Sequence, residues 1–393
     1  MSDRKHIAFF TNTYLPTMSG VVRSIATFRR AFDRMGHNVF VFAQKAARYQ
    51  DEEPFIFRYP AVEVPWANDY AFPVPFSSSI DDTLPCLKLE VIHSHHPFLL
   101  GDTAARKAEL LHLPLVFTFH TRYDEYTHYV PFSQGITRQL AERWIGNYIE
   151  KCQHIITPSD SIRALLVENG IEGDMTTIPT GIDLAPFRDA DGAAVRRKLG
   201  WGDDIVIISV GRLAKEKSFD MLLEAAAIVL RQHAQGRLVI VGGGLEERSL
   251  KKYARELGIA DRVEFVGPLP YEEVPGYLKA ADLFSFASTT ETQGLVTMEA
   301  MAAGLPIAAV NATGTQDIVT NGKDGLLTED NSAALAQAIC RLIEYPELRA
   351  RLSEGARARI NYFGIDHQAQ RMLDVYDQAT IAKQENRYIQ VRD

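Results

Sequence analysis

A chain of 393 residues has room for two or three domains. With 46% hydrophobic and 23% charged residues it can bury sizeable cores, which excludes intrinsic disorder. Its 42 basic and 50 acidic residues leave a net charge of −8, which speaks against a nucleic-acid partner. Three scattered cysteines, Cys86, Cys152 and Cys340, exclude a disulfide framework and suit a reducing compartment.

The polar start precedes an apolar stretch (6–11) too short for a signal peptide, and no 18-residue apolar run occurs. The expected location is cytoplasmic, with a peripheral place on the inner face of the cell membrane left open. In chain order, strands are expected at 6–11, 38–43, 90–94, 114–120, 154–157 and 175–179. Helices are expected at 19–35, 99–111, 135–152 and 159–169. A second series follows, with strands at 204–210, 237–241, 262–266, 283–287 and 306–310 and helices at 219–231, 246–257, 294–303 and 332–345. Alternation of this kind is the pattern of parallel sheets built from strand–helix–strand units. Two such α/β series predict two Rossmann-like domains, 1–183 and 184–364. A long helical pattern after residue 364 predicts a tail, 365–393, that packs back on the first domain. Residues 58–79, rich in proline and aromatics, read as a long irregular binding loop.

Two clusters bear on chemistry. Glu291 lies in a polar turn after an expected strand, Gly294 opens a helix, and Glu299 sits two turns into it. Bare N–H groups at such a helix start favour an anion, and the glutamates can bond hydroxyls around it. Acidic residues that merely complement the helix dipole explain the same pattern. Arg212 and Lys217 follow the strand 204–210, at the edge where open sheets bind ligands. They suit a diphosphate, although a solvated basic loop fits as well.

Other motifs carry less. Asp189 and Asp191 lie just before a helix and read as caps rather than metal ligands. His93, His95 and His96 close a strand without a matching cysteine or carboxylate partner. Gly242, Gly243 and Gly244 lack the third glycine of a dinucleotide fingerprint. Arg23, Arg29, Arg30 and Arg34 line helix 19–35 opposite Val21, Ile25, Phe28 and Phe32. Such helices lie on anionic lipid, and they also pack on cores with a solvated face.

The Glu291/Glu299 pair, the loop Gly211-Arg212-Leu213 to Lys217, the run 241–246 and His120-Thr-Arg122 resemble the GT-B glycosyltransferases of family 4. The resemblance runs through nearly the whole chain. Residues 288–296 and 119–129 are similar to the diacylglycerol α-glucosyltransferase branch. It implies a GT-B fold of two facing Rossmann-like domains with a cleft between them, the first for the acceptor and the second for the nucleotide sugar. It implies retaining transfer of a hexose, glucose from UDP-glucose, to a lipid such as 1,2-diacylglycerol at an anionic membrane surface. A soluble acceptor (sugar phosphate, polyol or saccharide) is the alternative.

By the same resemblance Glu299 binds the donor ribose, Arg212 and Lys217 the diphosphate, and Gly294 and Leu295 offer backbone amides. Glu291 meets hydroxyls of the transferred sugar, His120 its 6-hydroxyl side, and Gly20 admits backbone to the phosphates. Gly267 to Leu269 suits the base. Tyr123, Tyr126, Tyr129 and Trp66, with Trp144 and Tyr148 nearby, are the acceptor candidates. No metal or other cofactor is expected, since two cationic side chains face the leaving group. Ser218 departs from the glycine that many relatives have there.

Overall fold

The computed structural model describes residues 4–17, 19–46, 49–63, 71–120 and 143–392. The chain divides into two compact units, Met1–Gly181 with Ile365–Asp393, and Ile182–Gly364.

The first unit carries β1 (His6–Phe10), β2 (Asn38–Gln44), β3 (Ile56–Tyr59), β4 (Ala61–Glu63), β5 (Ala71–Pro73), β6 (Val91–Ser94), β7 (Leu115–Thr118), β8 (His154–Thr157), β9 (Ile171–Glu172) and β10 (Met175–Thr177). Seven of them form one parallel sheet in the order β10-β8-β7-β6-β1-β2-β3. Alternation along β1 sends Ile7 and Phe9 into one core layer and Ala8 and Phe10 into the other. Burial on both faces is why this strand is an unbroken apolar run. Helix Gly20–Arg34 covers one face with Val22, Ile25, Phe28 and Phe32, and the Ser19 hydroxyl caps it by accepting from Val22 N at 3.3 Å. Helix Ile365–Gln384 shares that layer through Ala369, Met372 and Tyr376. The chain then ends on a short strand, Gln390–Val391, antiparallel to β9.

The second unit carries β11 (Ile205–Val210), β12 (Gly236–Val241), β13 (Val263–Gly267), β14 (Leu283–Phe286), β15 (Ile307–Val310) and β16 (Gly325–Thr328), all parallel. Their order, β13-β12-β11-β14-β15-β16, is the 3-2-1-4-5-6 order of dinucleotide-binding sheets. Helices Phe219–Gln232 and Ser332–Glu344 cover one face with Leu222, Leu223, Leu335 and Ile339. On the other face Tyr277, Met298 and Ile360 pack against Val206, Ile208 and Phe284.

Among the elements that escape sequence patterning are β3, β16 and the helices Val274–Ala280 and Pro346–Ile360. The two strands are only four residues long and gain their definition from pairing with β2 and β15. The described residues of 58–79 are less irregular than expected. Arg58 ends up inside β3, ion-paired to Asp51 at 2.5 Å, β4 and β5 pair antiparallel, and helix Ser78–Thr83 follows.

Candidate functional site

The order of the second sheet reverses between β11 and β14, so their two outgoing loops flank the crevice where such sheets take ligands. Those loops carry the two clusters singled out above. After β14 the Ser288 hydroxyl donates to the Glu216 carbonyl at 3.2 Å, and Thr290 does the same at 3.2 Å. Lys217 is ion-paired to Glu291, and Ser288 also donates to Glu291 Oε1 at 2.9 Å. Both partners of that ion pair are 15% exposed, so the charges are held in a partly dry setting yet remain open to a ligand. Arg212 reaches Glu216 at 2.6 Å and is itself well exposed.

Glycines let these loops approach. A Cβ on Gly242 would fall 1.9 Å from the Gly211 carbonyl oxygen, and one on Gly244 would fall 2.3 Å from that of Leu213. The run 242–244 therefore serves to press the loop after β12 onto the loop after β11, where Gly243 accepts from Leu213 N at 3.0 Å. Gly314, from the loop after β15, approaches Glu291 equally closely: its Cβ would meet the Glu291 carbonyl oxygen at 2.5 Å. Sequence reasoning missed Gly314, and also Ser288 and Thr290 as the ties between the two loops.

Gly294 adopts φ +71° and starts helix Leu295–Ala302 with no side chain to cap it. The first amides of that helix have no carbonyl one turn back, which leaves them for an anion. Glu299, on the same helix, is only 2% exposed. Gly267 ends β13 at φ +84° with open space where a Cβ would point, and Leu269 lies half-buried beside the core. Ser218 takes φ +50° between the turn Lys215–Lys217 and helix Phe219–Gln232, so the left-handed geometry that favours glycine persists here without one.

In the first unit the sheet order reverses between β1 and β6. The loops beyond β6 and β7 bring His95 Nδ1 and His120 Nε2 to 2.9 Å. His93 bonds Tyr376 Oη at 2.8 Å and Thr118 Oγ1 at 2.7 Å, and His96 Nδ1 accepts from Asn12 N at 3.2 Å. Burial drives all four imidazoles toward neutrality, His93 to about 3, His96 to about 4, and His95 and His120 well below the ordinary value. His95 Nε2 is buried without a hydrogen-bond partner among the described residues. An orphaned buried N–H costs more than an orphaned lone pair, so the His95 proton belongs on Nδ1, where it donates to His120 Nε2. Neutral His120 then carries its own proton on Nδ1. The histidine run noticed in the sequence thus supports His120, and His95 is the residue that sets its tautomer.

Several expectations change. Arg29 is buried, ion-paired to Glu53 and bonded to the Pro54 carbonyl at 2.5 Å, so it presents no charge to a lipid surface. Arg34 is paired to Asp366 at 2.8 Å. Tyr148 is fully buried, edge-on to Phe117 at 5.3 Å, and belongs to the core rather than to an acceptor surface. Trp144 is 55% exposed. Tyr123, Tyr126, Tyr129 and Trp66 lie outside the described residues. Gly20 opens its helix at an exposed position. Asp191 caps helix Gly192–Leu199 as expected, accepting from Ala194 N at 2.9 Å, whereas Asp189 is the last residue of helix Ala185–Asp189.

Comparison with known proteins agrees with this geometry. Residues 18–186 match the model described as Glycosyltransferase Family 4, and residues 192–359 match Glycosyl transferases group 1. The chain is 32% identical to an alpha-monoglucosyldiacylglycerol synthase from Acholeplasma laidlawii, over 89% of this chain and 91% of that protein. It is 34% identical to a D-inositol 3-phosphate glycosyltransferase from Acidothermus cellulolyticus, over 74% of this chain and 67% of that one. The crystal structure of Anabaena HepE in complex with UDP-glucose superposes with a TM-score of 0.76 at 20% identity, covering 95% of this chain and 99% of that one.

Proposed function

Because the chain belongs to the family 4 glycosyltransferases of GT-B fold, we propose that it transfers glucose from UDP-glucose, with retention, to a membrane lipid of the 1,2-diacylglycerol type. The observation that carries this reading is the near full-length likeness to the Acholeplasma synthase, which exceeds in coverage the likeness to the inositol phosphate enzyme. The name of that relative specifies an alpha product. Glucose is α-linked in UDP-glucose, so an α product means retention.

The residues divide the work. Breaking the sugar–phosphate bond leaves negative charge on the diphosphate, and Lys217, Arg212 and the amides of Leu295 and Val296 lower that cost. The ion pair with Glu291 fixes the Lys217 ammonium at this edge, so Lys217 reaches the phosphates from a preset position. Glu291 takes sugar hydroxyls, Glu299 takes the ribose, and the edge from Gly267 to Leu269 takes the base. Gly20 admits the backbone of its helix start to the phosphates. The Nδ1–H that His95 imposes on His120 is a donor for the sugar 6-hydroxyl oxygen. With cations in place of a metal, chelator leaves the rate intact, and attack on the departing face requires no covalent sugar on Glu291.

Docking on an anionic bilayer at the inner face of the cell membrane belongs to the same proposal. Phe72 and Phe76 are exposed, and the Arg106 guanidinium sits 5.1 Å from the Phe76 ring centre, a cation beside apolar surface. No described helix is long and apolar enough to cross a membrane. Arg23 and Arg30 remain as candidate headgroup contacts, without the ion-paired Arg29 and Arg34.

The test is incubation with labelled UDP-glucose and either vesicles holding diacylglycerol or soluble acceptors including inositol 3-phosphate, followed by organic–aqueous partition. Label in the organic phase, as an α-glucoside, is the expected result. Label confined to the aqueous phase establishes the second reading, a soluble acceptor, which the 34% identity to the inositol phosphate enzyme favours.

A further inference from the structure

The second unit has a third group of reactive side chains, far in the topology from the donor loops. His233 follows helix Phe219–Gln232, whereas Cys340 and Glu344 stand on helix Ser332–Glu344. Spacing of four residues places the thiol and the carboxylate on one helix face. One ligand atom from each of the three residues lies within 4.8 Å of the others, a grouping unique among the described residues. Glu344 Oε1 is 3.4 Å from His233 Nε2, and that nitrogen is buried with no hydrogen bond among the described residues. Cys340 is 8% exposed, and its thiol donates only to Gln232 Oε1, at 3.6 Å. A cavity of about 990 Å³, lined by Gln232, Cys340, Arg341 and Glu344, opens beside Cys340 and Glu344.

We propose that His233, Cys340 and Glu344 form a binding site for a thiophilic divalent cation, Zn²⁺, with water from the cavity as fourth ligand. Tetrahedral zinc with bonds of about 2.0–2.3 Å sets its ligand atoms roughly 3.5 Å apart. Drawing three atoms in from within 4.8 Å takes about one ångström of side-chain rotation, which the half-exposed Glu344 has room to make. A thiolate, an imidazole and a carboxylate select zinc over Mg²⁺, which prefers oxygen ligands alone. Burial raises the Cys340 thiol, so the free site is protonated. The S–Zn bond forms as the thiol proton leaves to solvent, and no electrons are exchanged.

The site's position separates it from the transfer chemistry. Helix Phe219–Gln232 leaves the carboxyl end of β11 and runs back, so His233 lies near Gly236 at the amino end of β12, whose amide donates to the His233 carbonyl at 3.0 Å. The donor loops lie at the opposite, carboxyl edge. Zinc would therefore staple two helices that cover one face of the sheet and act on stability rather than turnover.

The experiment uses the full chain, stripped with EDTA and titrated with Zn²⁺ or with Co²⁺ as a spectroscopic substitute. One tightly held ion per chain after desalting, a thiolate-to-cobalt charge-transfer band and a rise in Tm are expected. Cys340→Ser should abolish the band, and His233→Ala and Glu344→Gln should each weaken affinity by about 10-fold or more. The exposed Cys86→Ser control should change nothing. Circular dichroism and the metal-free Tm confirm that the variants fold. Binding without the band, a band that survives Cys340→Ser, or affinity unchanged in His233→Ala would overturn the proposal. Glucosyl transfer in Glu344→Gln should match wild type with or without zinc, so failure here is distinct from failure of the glucosyltransferase reading.

Discussion

At the carboxyl edge of β11 and β14 the second unit gathers Arg212, Lys217, Glu216 and Glu291 into ion pairs. The same edge of the first unit, at and beyond the ends of β6 and β7, gathers four histidines that burial keeps uncharged. Two sheets of one architecture thus meet ligands by different physics. Charge held ready suits a diphosphate, because a cation aimed at a developing anion needs no reorganisation during the reaction. Neutral imidazoles suit hydroxyls, because a fixed tautomer presents a donor without the desolvation cost of a buried ion. The contrast also makes the units respond differently to acid, strain and truncation.

The largest expected effect is on stability in acid. The depressed histidines of the first unit stay unprotonated when folded, whereas the unfolded chain binds protons at the ordinary value near 6.5. Their contribution is complete above pH 6.5 and is lost as pH falls through about 4 for His96 and His154 and about 3 for His93. At about 1.4 kcal/mol per pKa unit, His96 alone removes ~3 kcal/mol by pH 4. The carboxyls that burial raises, Asp33 in the first unit and Asp324 in the second, run the other way, gaining on protonation. Peptide-resolved hydrogen exchange after a pulse at pH 4.5 should show the first unit open and the second protected. Simultaneous opening of both would remove this half of the comparison.

Next comes the charged edge. Lys217→Ala should lower turnover about 10²–10³-fold, roughly 3 kcal/mol, with the fold intact. Arg212→Ala should cost less, since Arg212 is exposed and already shared with Glu216. Wild-type kcat in both variants would take the diphosphate away from this edge. His95→Phe tests the neutral edge: it should lower kcat/KM by about 10-fold while sparing UDP binding measured by calorimetry, because it removes the hydrogen bond that fixes His120.

Smaller effects probe the loops. Gly242→Ala forces a methyl group against the Gly211 carbonyl at φ +137° and should destabilise the second unit by about 1–3 kcal/mol. Ser218→Gly should act in reverse. It relieves about 1–2 kcal/mol of left-handed strain, offset by about 0.4–1 kcal/mol of extra unfolded-state entropy. Calorimetry should register a small rise in Tm for the transition of the second unit, and a fall would mean that the Ser218 hydroxyl contributes more than its backbone costs.

Much of this molecule is legible in one dimension. Apolar runs give the core strands, because a strand buried on both faces has no polar position to break it, as residues 7–10 of β1 and 307–310 of β15 show. Glu291, Gly294 and Glu299 fall on one turn and one helix, so their spacing alone places them at a helix start. Lys217 and Arg212 follow a strand directly, and local sequence carries that too. What only the tertiary structure decided are the partnerships between distant segments. The periodicity of helix Gly20–Arg34 shows four arginines on a polar face, but Glu53 arrives from a separate loop and takes Arg29 into the interior. Gly314 earns its place from the approach of its loop to Glu291, and no local pattern marks it. His95 becomes the partner of His120 because β6 and β7 are neighbours in the sheet. Short-range spacing records which backbone a segment adopts; hydrogen-bond and charge pairing across the sheet depends on which strands end up adjacent, and the order of strands is a property of the packed chain.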